Sequence, residues 1–331
     1  MANLTRKTSV LALNEAAYAA STTLDPTTDG LLLTGDGAGV YSVDTTVVDT
    51  PILRATVQPQ SPLIGRTLAN VNLSSYLMTS RKPLAAASEA APWIDPILQG
   101  VGFGRSDGND GADSSSAVYA PVATPVSTAF EVYADDLMST VTGAYGSSMN
   151  FNFTAGSTAT WDATFMGKYT EPVDNTDSIS YPSDNKTLVE SEVLTIGSYS
   201  PIVRSMAISM ANTVSERADA NDTLGFFGVE LTGRSSSTLD LVIEVPDAVI
   251  STFNPWEKLY TAAGSGDTIS FTHKTSATEM IVFTMTTPML TSVSYADDGG
   301  VRMYNLSYAL YTDDTATPSK EIEIIFKRKV T

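Results

Sequence analysis

The chain has a single histidine, His273, and no cysteine. In a Ser-His-Asp triad an imidazole takes the serine proton, so any such arrangement would have to use His273. That residue sits in Phe271-Thr272-His273-Lys274, a predicted strand end beside a lysine, without the glycines of a nucleophile elbow. The absence of cysteine removes disulfides, thiol chemistry and Cys-ligated zinc or iron–sulfur sites. Three acidic pairs, Asp135-Asp136, Asp297-Asp298 and Asp313-Asp314, have the residue type for acid–base work. Two fall in predicted turns and the third in a Thr/Asp/Pro-rich connector, where solvated aspartates are ordinary. Asp107-Gly108-Asn109-Asp110-Gly111-Ala112-Asp113 has the acidity of a calcium loop. Its register fails, with Ala112 where the EF-hand turn needs glycine and Val118 where a bidentate glutamate belongs. No catalytic residue, metal site or cofactor is expected, and the residues point away from an enzyme.

The elements that would carry these residues are set by composition. At 331 residues the chain suits two domains of ordinary size, and a hydrophobic fraction of 42% is enough for packed cores. Ser, Thr, Gly and Asp dominate the polar residues, which favours strands and tight turns over long surface helices. The formal charge is −18, and a cut near Glu190 leaves −11 before it and −7 after it, so the acidity is distributed. Such a surface repels phosphate backbones, which is compatible with letting DNA slide past but not with holding it. No apolar run approaches the ~18–20 residues of a membrane span. The short stretch Val10–Leu13 behind Arg6 and Lys7 is broken by Asn14 and Glu15, so synthesis in the cytoplasm is expected.

Residues 1–50 have weak periodicity and read as an N-terminal arm with a short strand at 31–34. A strand is expected over 70–78, a helix over 91–103 opened by Pro92, and an acidic loop over 104–116. From Ser127 the pattern alternates: 130–133 and 138–145 flank a turn at Asp135-Asp136. The clearest hairpin follows. Met149, Phe151 and Phe153 alternate with Asn150 and Asn152, and Trp161, Ala163 and Phe165 alternate with Asp162 and Thr164. Residues 173–194 are rich in Pro, Asp, Ser and Asn and read as a linker. The second half predicts strands over 202–210, 239–245, 268–271 and 280–284. It also predicts a helix over 246–263 with Asn254-Pro255-Trp256-Glu257 as a capping-box start. A hairpin turning at 296–300 and a last strand over 321–326 close the chain. The basic run Lys327-Arg328-Lys329 suits an acidic neighbouring subunit better than nucleic acid.

Each half holds a helix opened by Pro-Trp (Pro92-Trp93, Pro255-Trp256), then two strands, then a long hairpin ending in Tyr-Thr (Tyr169-Thr170, Tyr311-Thr312). This shared order points to duplication of one β-rich unit. The domains are therefore drawn as an arm at 1–50, a first domain at 51–172, a linker at 173–194 and a second domain at 195–331.

Residues 119–172 carry a family resemblance. A Tyr-x-Pro-Val opening at Tyr119, an acidic turn, Thr142-Gly143-Ala144-Tyr145-Gly146 and a hairpin ending in Phe165-Met166-Gly167-Lys168-Tyr169 occur in order. The upstream TLANVNLSSYL and PWIDPILQGVGF, and EVPDAVISTFNPWEKLYTAAGSG in the second half, extend the match, with Tyr260 where a second aromatic would be expected. In this the chain resembles the siphophage tail tube family, in its long, duplicated form, over about residues 50–331. The resemblance implies two tandem β-sandwich or partial-barrel domains, each with a short flanking helix. It further implies three chains per pseudo-sixfold ring, stacked into a hollow virion tail tube through which DNA passes without specific binding. Tape-measure, tail-terminator and baseplate or distal tail proteins would be the other partners. The lumen-facing residues would be Asn150, Asn152, Asp162 and Thr164 in the first half and Ser292, Ser294, Asn305 and Ser307 in the second. A capsid decoration, baseplate or fibre module of β-sandwich domains is the alternative.

Overall fold

Strands that alternate apolar and polar side chains bury one face and wet the other, and almost every element here is of that kind. The computed structural model describes residues 7–20, 22–35, 37, 39–49, 61–79, 91–109, 114–175, 178–181, 186–190, 192–222, 225–246, 252–259, 267–276, 279–312 and 320–329. The elements of the first half are β1 (Thr8–Asn14), β2 (Gly30–Leu31), β3 (Tyr41–Val48), β4 (Leu63–Tyr76), α1 (Asp95–Gly100), β5 (Phe103–Asn109), β6 (Ser114–Pro121), β7 (Thr128–Ala134), β8 (Leu137–Thr154), β9 (Thr160–Tyr169) and β10 (Val173–Asp174). Those of the second are β11 (Val193–Ile196), β12 (Val203–Ala218), β13 (Phe226–Arg234), β14 (Ser237–Glu244), α2 (Pro255–Lys258), β15 (Ile269–Lys274), β16 (Glu279–Met285), β17 (Pro288–Asp298), β18 (Val301–Leu310) and β19 (Glu323–Lys329). Strands take up 62% of the described residues and helix 5%, so the fold class is mainly β, as the composition predicts.

The larger sheet contains an antiparallel row of eight strands, β3-β4-β9-β8-β12-β14-β18-β17. The smaller sheet runs β11-β15-β16-β19-β6-β5. The two meet face to face through aromatic edges: Phe151 on Phe283 at 5.2 Å and Phe153 on Phe271 at 4.8 Å between ring centroids. Offset or edge-on rings add roughly 0.5–1.5 kcal/mol per pair beyond their area. Both sheets cross from one half of the sequence to the other, through β8 with β12 and through β6 with β19. The 173–194 boundary thus separates two stretches of sequence that share one core.

The row divides into two fours of the same build, β3-β4-β9-β8 and β12-β14-β18-β17. Val71 faces Phe165 and Leu73 faces Ala163 in the first, as Leu239 faces Tyr308 and Leu241 faces Leu306 in the second. Each four has a β-bulge at the same place. Between Gly146 and Ser148 the extra residue is Ser147, whose hydroxyl donates to the Thr164 carbonyl at 3.2 Å. Between Leu290 and Ser292 it is Thr291, donating to the Ser307 carbonyl at 2.9 Å. The alignment also brings Leu63-Ile64-Gly65-Arg66 onto Leu231-Thr232-Gly233-Arg234, a Leu-x-Gly-Arg repeat 168 residues apart.

The structure differs from the sequence expectations at several points. The N-terminal stretch is not a loose arm: β1 pairs with β7, and Val10, Leu11 and Ala12 are fully buried. The loop expected over 104–116 holds the β5–β6 hairpin, its tip outside the described residues. Asn254 occupies the N-cap of α2 but its side chain makes no capping hydrogen bond. Asp297 and Asp298 lie in β17, because Gly299 and Gly300, at φ 63° and 94°, make the turn alone. The Pro-Trp and Tyr-Thr pairs sit in different surroundings: Trp93 is buried and Trp256 is 39% exposed, while Tyr169 packs on the core and Tyr311 is 38% exposed.

Candidate functional site

Residues directly opposite one another in a ladder point to the same side of the sheet. Asn150 faces Asp162, Thr164 faces Ser148, and Asn152 faces Ala207 across the junction between the fours. Ala207 faces Asp240, which faces Ser307, and Ser307 and Asn305 face Ser292 and Ser294. All eight residues singled out in the sequence therefore lie on one face, the side turned away from the aromatic core. Asp240 and Ser209 belong to the same face and were not singled out. The signal was present in Leu-Asp-Leu-Val-Ile-Glu-Val, where two carboxylates at alternate positions, Asp240 and Glu244, mark the wetted side of an otherwise apolar strand.

Asp162 and Asp240 on this face accept hydrogen bonds from neutral donors. The Asn150 amide donates to Asp162 at 2.6 Å, that of Asn152 reaches the same carboxylate at 3.4 Å, and the Ser307 hydroxyl donates to Asp240. The stretches 148–154, 160–164, 205–209, 238–244, 292–294 and 305–309 contain no lysine or arginine. Asp162, Asp240 and Glu244 thus give the face negative charge among small polar groups.

Towards the other end of the strands the face is covered. β12 leaves β8 after Ala211, and its hairpin with β13 lies across β4, β8 and β9. Phe226 and Val229 close over Leu68 and Tyr145, with Val214, Leu231 and Met166 packed alongside. Arg66 pairs with Glu216, and Lys168 with Asp222 at 3.3 Å. Tyr18 stacks between Tyr145 and Phe227, and its hydroxyl accepts the Val229 N–H at 2.7 Å. Burial there pushes the Tyr18 phenol up to about 12. Arg234 holds the edge of the covering hairpin: it donates to the Val101 carbonyl at 2.7 Å and to Glu321 at 2.8 Å, and it stacks on Phe103.

The other candidates are dispersed. His273 is fully buried within β15, its Nδ1 2.7 Å from Glu192 and its ring against Phe153, with no hydroxyl nucleophile among its bonded partners. Asp107 is engaged by Arg105 at 2.8 Å, and Asp110 to Asp113 lie outside the described residues. Among the described residues no group of three or more His, Asp or Glu is placed to hold a metal. Asp135 takes the positive-φ position of the β7–β8 turn and pairs with Lys7 at 2.7 Å, while Asp313-Asp314 lies outside the described residues. Lys327 is on β19, and the Arg328 and Lys329 side chains fall outside the description. No helix among the described residues is long and apolar enough to cross a membrane. No protein-family model matches the chain, and no curated protein matches it.

Proposed function

We propose that this chain is the structural subunit of a phage tail tube, three copies closing a pseudo-sixfold ring and rings stacking into a conduit for DNA. The observation that carries the reading is the row of two like-oriented fours whose outermost strands, β3 and β17, each have a ladder partner on one side only among the described residues. Within the chain, β8 of the first four joins β12 of the second. The same join between copies would set β17 beside β3. Such a join is head-to-tail, and head-to-tail contacts close into rings when the rotation permits. Closure would also remove the open edges that make such a sheet a liability as a monomer.

The eight residues on the wetted face would then line the channel. Their chemistry suits passage: hydrogen-bonded carboxylates and amides, without the cations that hold phosphates. Tape-measure, terminator and baseplate or distal tail proteins would complete the assembly in the virion tail. Electron microscopy of the purified full-length chain tests this. Rings or hollow rods with three chains per turn are expected, whereas discrete compact particles lacking a central hole would sink the reading.

A further inference from the structure

The hairpins that open the two fours carry equivalent residues in different surroundings. The β12–β13 hairpin runs on past its last pair with β8 and is seated on the first four. The β3–β4 hairpin likewise runs on past Leu68, where pairing with β9 ends. Its side chains stand in solvent: Val43 is 44% exposed, Val47 57%, Val48 48%, Leu63 60% and Ile64 69%. The repeat aligns Val43 with Met210, which is 1% exposed, and sets the facing pair Val48–Leu63 on the facing pair Val214–Leu231, both packed over the first four. The same positions are covered where a preceding four exists and bare where none does. The successive facing pairs Val47–Ile64 and Val48–Leu63 leave large aliphatic side chains bare on both faces of the hairpin, and bare aliphatic ground of this kind marks an interaction surface.

We infer that the free part of the β3–β4 hairpin lies across the base of the β17–β18 hairpin of a second copy. Within the chain the ground covered includes Tyr145 facing Met166, and the repeat places Met289 facing Ala309 at that position. Tyr311, 38% exposed, follows directly on that strand and widens the apolar ground. Val43 and β3 also continue into the outer edge of the row, so the contact extends the strand-to-strand join. The inference rests on the assembly reading above, and it adds the segment that clasps the neighbour and the surface that receives it.

The test is a double substitution, Val48→Asp with Leu63→Asp, in the full chain. Val48 is 48% exposed and Leu63 60%, so circular dichroism and the thermal midpoint of the monomer should match the wild type. Assembly should need about tenfold more protein or fail, because two carboxylates would be carried into an apolar contact. Hydrogen exchange on assembled wild-type protein should show protection gained together at 41–48, 63–67, 288–291 and 308–311. If the wild type assembles and the double variant assembles at the same concentration, the clasp is wrong while the tube reading stands. A wild type that stays monomeric at every concentration sinks both.

Discussion

Phe151 on β8 and Tyr295 on β17 hold the same position in the two fours, but only Phe151 has a strand on both sides. Phe151 faces Trp161 and Ile208 and is fully buried. Tyr295 faces Tyr304 alone, stacks on it at 5.3 Å, lies 5.7 Å from the Trp256 ring and is 52% exposed. One junction is finished inside the chain and the other is left open at its end. The difference teaches where the chain can join another: what the first four receives from the second, the second can receive only from outside.

Substitutions at matched positions sharpen this contrast. Phe151→Ala should cost about 3–5 kcal/mol in urea unfolding, since it empties a packed aromatic site. Tyr295→Ala should cost about 1 kcal/mol or less in the monomer and show its effect in assembly. Equal losses in monomer stability would break the comparison. The two arginines of the Leu-x-Gly-Arg repeat should divide in the same way. Arg234→Ala leaves Glu321 buried beside only the Ser237 hydroxyl, and should cost about 3 kcal/mol. Arg66 pairs with Glu216 where both side chains are about a third exposed, so Arg66→Ala should cost about 1 kcal/mol or less in the monomer.

A comparably small effect is expected at Tyr18, which ties the β12–β13 hairpin down. An unfolded tyrosine ionises near pH 10, whereas burial holds the folded Tyr18 proton up to about 12. Its share of stability is therefore complete below pH 10 and is lost as pH rises from 10 to 12. Tyr18→Phe should cost about 1 kcal/mol at pH 8, from the lost acceptor for Val229 N–H, and should flatten the decline above pH 10. Urea midpoints at pH 8, 10 and 11 would show it.

The hairpin from Met149 to Phe165 and the wetted face it carries were legible in the sequence, because aromatic and short polar residues alternate there without interruption. Strand β1 was not: its core Val-Leu-Ala-Leu does not alternate, and its partner β7 lies more than a hundred residues away. The β5–β6 hairpin was hidden by Gly, Asp and Ser, which read as loop until a ladder pairs them. The repeated order of elements was visible in the sequence, but the Tyr-Thr pairs align the two fours one residue away from the strand register. The strand register shows the Leu-x-Gly-Arg repeat and the paired bulges at Ser147 and Thr291, signals that need facing residues to be recognised. His273 and Glu192, 81 positions apart, could be joined only by the fold.

In the proposed ring, β17 of one copy takes the place beside β3 that β8 takes beside β12. The pair Met149–Met210 in the inner junction corresponds to Val293 and Val43 in the outer one. The chain has no cysteine, so Val43→Cys with Val293→Cys introduces the only two thiols. Facing residues stand close enough for a disulfide. Mild oxidation of the assembled protein should give covalent dimers and trimers on a non-reducing gel, and nothing larger. Assembled protein whose thiols stay free, or a ladder running beyond three chains, would contradict the account.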